Sequence, residues 1–76
     1  MNNQRRKRIN KVITQLEISR DEINEIMDEE QEALDNMPEN LLESERAELS
    51  QNAIDLLDSS INNLEEAISN LEEATE

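Results

Sequence analysis

The chain has no cysteine, histidine, glycine or aromatic residue, and one proline in 76 residues. Each absence removes a class of chemistry. Without cysteine or histidine there is no zinc site of the usual kind, no thiol nucleophile, no disulfide framework and no imidazole-based proton transfer. Without glycine there is no phosphate-cradling loop and no dinucleotide fingerprint. Without aromatic rings there is no platform on which single-stranded bases stack. No apolar run approaches the ~20 residues of a membrane span, and the N-terminus lacks the apolar stretch of a signal peptide. A non-enzymatic protein of the cytoplasm is therefore expected, with no cofactor, no metal and no membrane association.

What remains is 36% charged and 34% hydrophobic, with a net charge of −13. Two stretches, about 4–36 and 39–75, carry apolar residues at helical spacing. In the first, Ile9, Val12, Ile13, Leu16, Ile23, Ile26, Met27, Ala33, Leu34 and Met37 recur three and four apart. In the second, Ile54, Leu57, Ile61, Leu64, Ile68 and Leu71 alternate the two spacings without a miss. This is a heptad seam with isoleucine on one position and leucine on the other. Leu49, Ala53 and Leu56 widen the stripe toward the turn.

Between the stretches lies Asn36-Met37-Pro38-Glu39-Asn40. Proline cannot continue a helix from behind but fits its first position. Asn36 is expected to close helix one in place of glycine. Helix two starts either at Pro38 or, after a short helical turn, with Ser44 as N-cap and Glu45 and Glu48 in its first turn. The expected fold is all-α: a single two-helix antiparallel hairpin over 1–76, coiled-coil-like, with its turn at 36–40. Chains this small without disulfide or metal usually gain stability by assembling. A homodimer or higher oligomer, as a four-helix bundle or larger, is expected, with the heptad seam of helix two between protomers.

Charge is unevenly spread. Residues 1–20 hold Arg5, Arg6, Lys7, Arg8, Lys11 and Arg20 against Glu17, and the rest of the chain holds nineteen acids against Arg46. An antiparallel hairpin sets the basic start beside Glu65, Glu66, Glu72 and Glu73, which offsets two unfavourable helix-dipole placements. The cluster has a second reading as a phosphate contact through Arg5, Arg6, Arg8 and Arg20. Direct nucleic-acid binding is not expected, because the whole field is acidic. Asp28-Glu29-Glu30-Gln31-Glu32 is the densest acidic run, but its carboxylates fan around a helix instead of converging on a cation. Arg20 and Glu30 fall on the apolar line of helix one. Folding at Pro38 places Glu30 near Arg46 and Arg20 near Ser59 and Ser60, so a Glu30–Arg46 pair is expected to set the register. Asn62, Asn63, Asn70, Ser59, Ser60 and Ser69 form a weakly charged flank of helix two.

The run from Asp28 through Glu39, followed by Ser44-Glu45-Arg46, resembles a family of small acidic proteins from phages and prophages of Gram-positive hosts. Asn62-Asn63-Leu64-Glu65-Glu66-Ala67-Ile68 and Asn70-Leu71-Glu72-Glu73-Ala74 match that family's tail. The resemblance covers most of the chain. One departure is Ala47, where the family has glycine; alanine favours an unbroken helix there. The resemblance implies a phage origin and a bacterial host cell more than any one activity.

Charge and resemblance together point to an anti-defence inhibitor that mimics nucleic acid. Its acidic surface, Asp21, Glu22, Glu25, Asp28, Glu29, Glu32 and Asp35, would occupy the basic channel of a host protein such as a CRISPR nuclease, a restriction enzyme or a repair enzyme. The alternatives are an oligomeric sponge for a phosphate-bearing small molecule, held by the arginines, and a plain coiled-coil assembly module.

Overall fold

The computed structural model describes residues 1–41 and 44–76. It is an antiparallel hairpin of two long helices, α1 (Asn3–Asp35) and α2 (Glu45–Ala74), joined through a 3-10 turn at Glu39–Leu41. The molecule is a rod whose Cα atoms span 59 × 14 × 12 Å. Among the described residues, no helix is long and apolar enough to cross a membrane.

Local chemistry sets the helix ends. Asn2 caps α1, its side-chain oxygen accepting from Arg5 N–H at 2.8 Å, which satisfies one donor that the helix leaves unpaired. At the other end Asn36 N–H donates to Glu32 at 3.0 Å and Met37 N–H to Leu34 at 3.1 Å. Asn36 closes α1 as expected, but at φ −89°, ψ 0° and not in the left-handed conformation that favours glycine. The sequence needs no glycine here because the chain leaves the helix by tightening into 3-10 bonds.

Of the two starts open to helix two, the structure takes the later. Pro38 accepts from Leu41 N–H at 2.8 Å and so opens the 3-10 turn instead of α2. Ser44 is the N-cap, its hydroxyl accepting from Ala47 N–H at 3.3 Å and itself donating to the Leu41 carbonyl. Glu45 and Glu48 sit in the first turn, where their charge suits the helix dipole. The helix therefore starts seven residues later than its earliest expected point, at Glu45 instead of Pro38.

Each helix turns one line of residues inward. On α1 it runs Arg6, Ile9, Ile13, Leu16, Arg20, Ile23, Met27, Glu30 and Leu34 and continues to Met37 just beyond the helix, every one buried or half-buried. On α2 it runs Ala47, Ser50, Ile54, Leu57, Ile61, Leu64, Ile68, Leu71 and Thr75. Both lines keep the three–four alternation that holds a seam against a partner helix. The isoleucines of α2 and Ile13 of α1 are the best-covered large side chains, with Ile68 5% and Ile13, Ile54 and Ile61 8% exposed. Those of α2 are residues expected at an oligomer seam. Ile54, Ile61 and Ile68 are spent inside the chain against α1, with Leu57, Leu64 and Leu71 half-covered beside them. An antiparallel hairpin must bury its longest unbroken seam first, and the only partner always at hand is its own other arm.

Candidate functional site

Among the described residues, two hydrogen bonds cross the hairpin and fix its register. Near the open end, Arg6 Nε donates to the Thr75 carbonyl at 3.1 Å. Near the turn, Ser50 Oγ donates to Glu30 Oε1 at 2.6 Å. The two anchors are 24 residues apart on α1 and 25 on α2, so the arms keep step along their length, centred near residue 40.

The expected Glu30–Arg46 pair does not form; Glu30 accepts from Ser50, one helical turn further along α2. The cause is the connection. The 3-10 turn moves the centre of the hairpin from Pro38 to about residue 40, and a shift of two residues there displaces facing partners by four. Arg46 is exposed and lines a shallow groove with Glu30, Ala33, Met37, Leu49 and Ser50. Ser50 is 8% exposed, and a buried hydroxyl requires such a partner. Extending the heptad count of helix two backward from Ile54 would have found it.

This geometry separates two substitutions. Ser50→Ala removes a hydrogen bond to a charged group in a half-buried site, worth about 1–2 kcal/mol. It is expected to lower the melting temperature by roughly 4–16 °C. Arg46→Ala should shift it by less than about 2 °C, because an exposed arginine there holds no carboxylate. Thermal denaturation of both variants checks the register, and the reverse order would restore the Glu30–Arg46 pair.

Arg20 is half-buried and holds its own neighbour, Asp21, through Nε and Nη2 at 3.2 Å. It does not engage Ser59 or Ser60; Ser60 Oγ donates to the Leu56 carbonyl instead. Arg20–Asp21 is the one ion pair among the described residues. The basic start thus does not pair side chain to side chain with Glu65, Glu66, Glu72 or Glu73. Its one hydrogen bond to the other arm among the described residues is from Arg6 to the carbonyl of Thr75, a cation at the C-terminus of α2 where the dipole favours it. Sequence reasoning missed this capping role. Of the four arginines of the phosphate reading, Arg6 and Arg20 are engaged in this way, and Arg5 and Arg8 are exposed.

The acidic residues are arranged differently. Asp21, Glu22, Glu25, Asp28, Glu29, Glu32 and Asp35 are all exposed. Asp21, Glu25, Asp28, Glu32 and Asp35 recur four and three apart, so they form one outward line on the side of α1 away from α2. Glu22 and Glu29 flank it. The carboxylates of the run 28–32 fan around the helix as expected: Asp28 and Glu32 extend this line, Glu29 flanks it, and Glu30 turns inward to Ser50. Among the described residues no three carboxylates come together to hold a metal ion.

The charge also divides along the rod. The open half, residues 1–20 with 61–76, holds six basic and six acidic residues and is neutral. The turn half, residues 21–60, holds fourteen acids against Arg46 and carries the whole net charge of −13. Compared with protein-family models, curated proteins and solved structures, the chain matches none.

Proposed function

We propose that this is a non-enzymatic interaction protein of phage type that inhibits a host defence or DNA-handling protein by imitating nucleic acid. The outward acids of α1, from Asp21 to Asp35, occupy the basic channel of a target such as a CRISPR nuclease, in the cytoplasm of a bacterial host. The observation that carries this reading is the concentration of charge on half of a rigid rod. Thirteen net negative charges over half of a 59 Å length amount to one per about 2.3 Å. Duplex DNA carries one per about 1.7 Å and a single strand one per about 3.4 Å. A channel built for phosphates meets a comparable density of charge here, spread over the turn half of a rod that loses little freedom on binding.

The exposed acids also require little desolvation before contact, so association is steered by long-range attraction and weakened by salt. The test is capture from host lysate on the tagged protein, eluted by a salt gradient and challenged with duplex DNA. The expected result is one nucleic-acid-handling enzyme, released as salt rises and displaced by the duplex. An empty bait, or a partner indifferent to both salt and DNA, overturns the reading.

A further inference from the structure

We propose that one side of the hairpin, running along both helices, is the contact surface for a second copy of this chain, packed antiparallel with the two turns at opposite ends of a four-helix bundle. Taking the inward lines as heptad positions a and d, the residues flanking them lie on two sides of the rod. One side carries position e of both helices and is polar, with Gln31 and Gln51 lining a common groove. The other carries position g of both helices, and there Ala33 lines a groove with Arg46 and Leu49.

On α2 the second side lacks acids where the rest of the helix is crowded with them; on α1 Glu22 and Glu29 border it at position c. All eight acids of α2 lie on positions b, e and f, none on c or g. The acid-free sector of α2, whose one charge is Arg46, is thus about 160° wide, although a seam against α1 needs only a narrower stripe. The uncovered remainder includes Leu49, 64% exposed, and Leu56, 60% exposed. On α1 the matching column holds Val12 and Ile26, each 43% exposed.

The order of residues along this side is the same from either end. At its middle Ser19 stands level with Ser60. One heptad toward the open end Val12 lies beside Ala67, and one heptad toward the turn Ile26 lies beside Ala53. A further heptad out, Arg5 accompanies Ala74 at one end and Ala33 accompanies Arg46 at the other. A surface with such an order complements itself about a two-fold axis through its centre. Two copies related in this way set α1 against α1 and α2 against α2. Leu49 and Leu56 of one copy then meet the region of Ala67 and Ala74 of the other, large against small. Arg8 of one copy comes to the level of Glu29 of the other.

Charge selects this orientation over the one with both turns together. The latter superimposes two halves of −13, whereas the antiparallel arrangement lays each charged half along a neutral one. The area also fits. The chain exposes 5886 Å², about 1,100 Å² more than the ~4,800 Å² of a compact monomer of its mass. A face 59 Å long and 14 Å wide is on the order of 800 Å², one side of a standard interface. The outward line of Asp21, Glu25, Asp28, Glu32 and Asp35 stays outside it and Glu29 lies at its edge, so Leu56→Glu tests the dimer without touching the acids of the proposed inhibition.

Sedimentation equilibrium of the full chain at tens of micromolar is expected to give twice the 8.8 kDa chain mass. Because the chain has no cysteine, Ser60→Cys reports geometry cleanly. At the two-fold axis it lies against itself and should form a covalent dimer under mild oxidation. With both turns together Ser60 faces Ser19 of the other copy, and Ser60→Cys stays uncrosslinked. Leu56→Glu, at a site that is exposed in the single hairpin, is expected to reduce the mass to that of one chain, with or without loss of helix. A wild-type monomer, a dimer that Ser60→Cys does not crosslink, or a dimer that survives Leu56→Glu each overturns the proposal.

Discussion

Ile61→Asp is expected to unfold the protein. Ile61 sits at the middle of the rod on the inward line of α2 and is 8% exposed. Losing its burial costs about 1.5–3 kcal/mol, and placing a carboxylate there without a partner adds several more. A domain of this size has only about 4–11 kcal/mol of stability to lose. Far-ultraviolet circular dichroism at 25 °C should therefore show a largely unfolded chain. Ile18→Asp is the matched control, since Ile18 is 65% exposed on the outer face of α1. That change should cost less than about 1 kcal/mol. Equal melting of the two variants would mean that the isoleucine seam is not the core.

The second large effect concerns binding. Reversing Asp28, Glu29 and Glu32 to lysine together takes the net charge from −13 to −7 and breaks the outward line at its densest point. The three side chains are exposed, so the hairpin should melt within a few degrees of wild type. Capture of the target enzyme should weaken at least a hundredfold, which corresponds to about 2.7 kcal/mol, because each reversal replaces an attraction with a repulsion. Arg5→Ala combined with Arg8→Ala serves as the counterpart and is expected to leave capture unchanged. Sensitivity to the arginines with indifference to the acids would instead favour a ligand held through phosphates. Arg6 is excluded from that pair because it caps α2.

Much of this molecule was legible in its sequence. The alternation from Ile54 to Leu71 marks a helix with one buried line, and the structure buries that line. Pro38 and Ser44 marked the break and the later of the two starts. The candidate acids were legible too, as exposed positions of helix one, but their alignment was obscured by reading the run 28–32 alone. Over Asp21 to Asp35 the same residues form a continuous line, because spacings of four and three return to one side of a helix. Ser50 and Arg6 were not legible as partners. A serine or an arginine on an apolar line acquires its role only from what the other arm brings opposite it.

The sequence by itself determined the two helices, their amphipathic faces, the break between them and the uneven distribution of charge. These follow from periodicity and capping, which act over a few residues and need no knowledge of the other arm. The tertiary structure alone decided the register. A short 3-10 turn moved the centre of the hairpin by about two residues, which replaced Arg46 with Ser50 opposite Glu30. It also decided that the isoleucine seam closes within the chain, because the tethered arm is present at high effective concentration. The side carrying Val12, Ile26, Leu49 and Leu56 remains uncovered because two helices cannot enclose each other, and each covers only the sector that faces its partner.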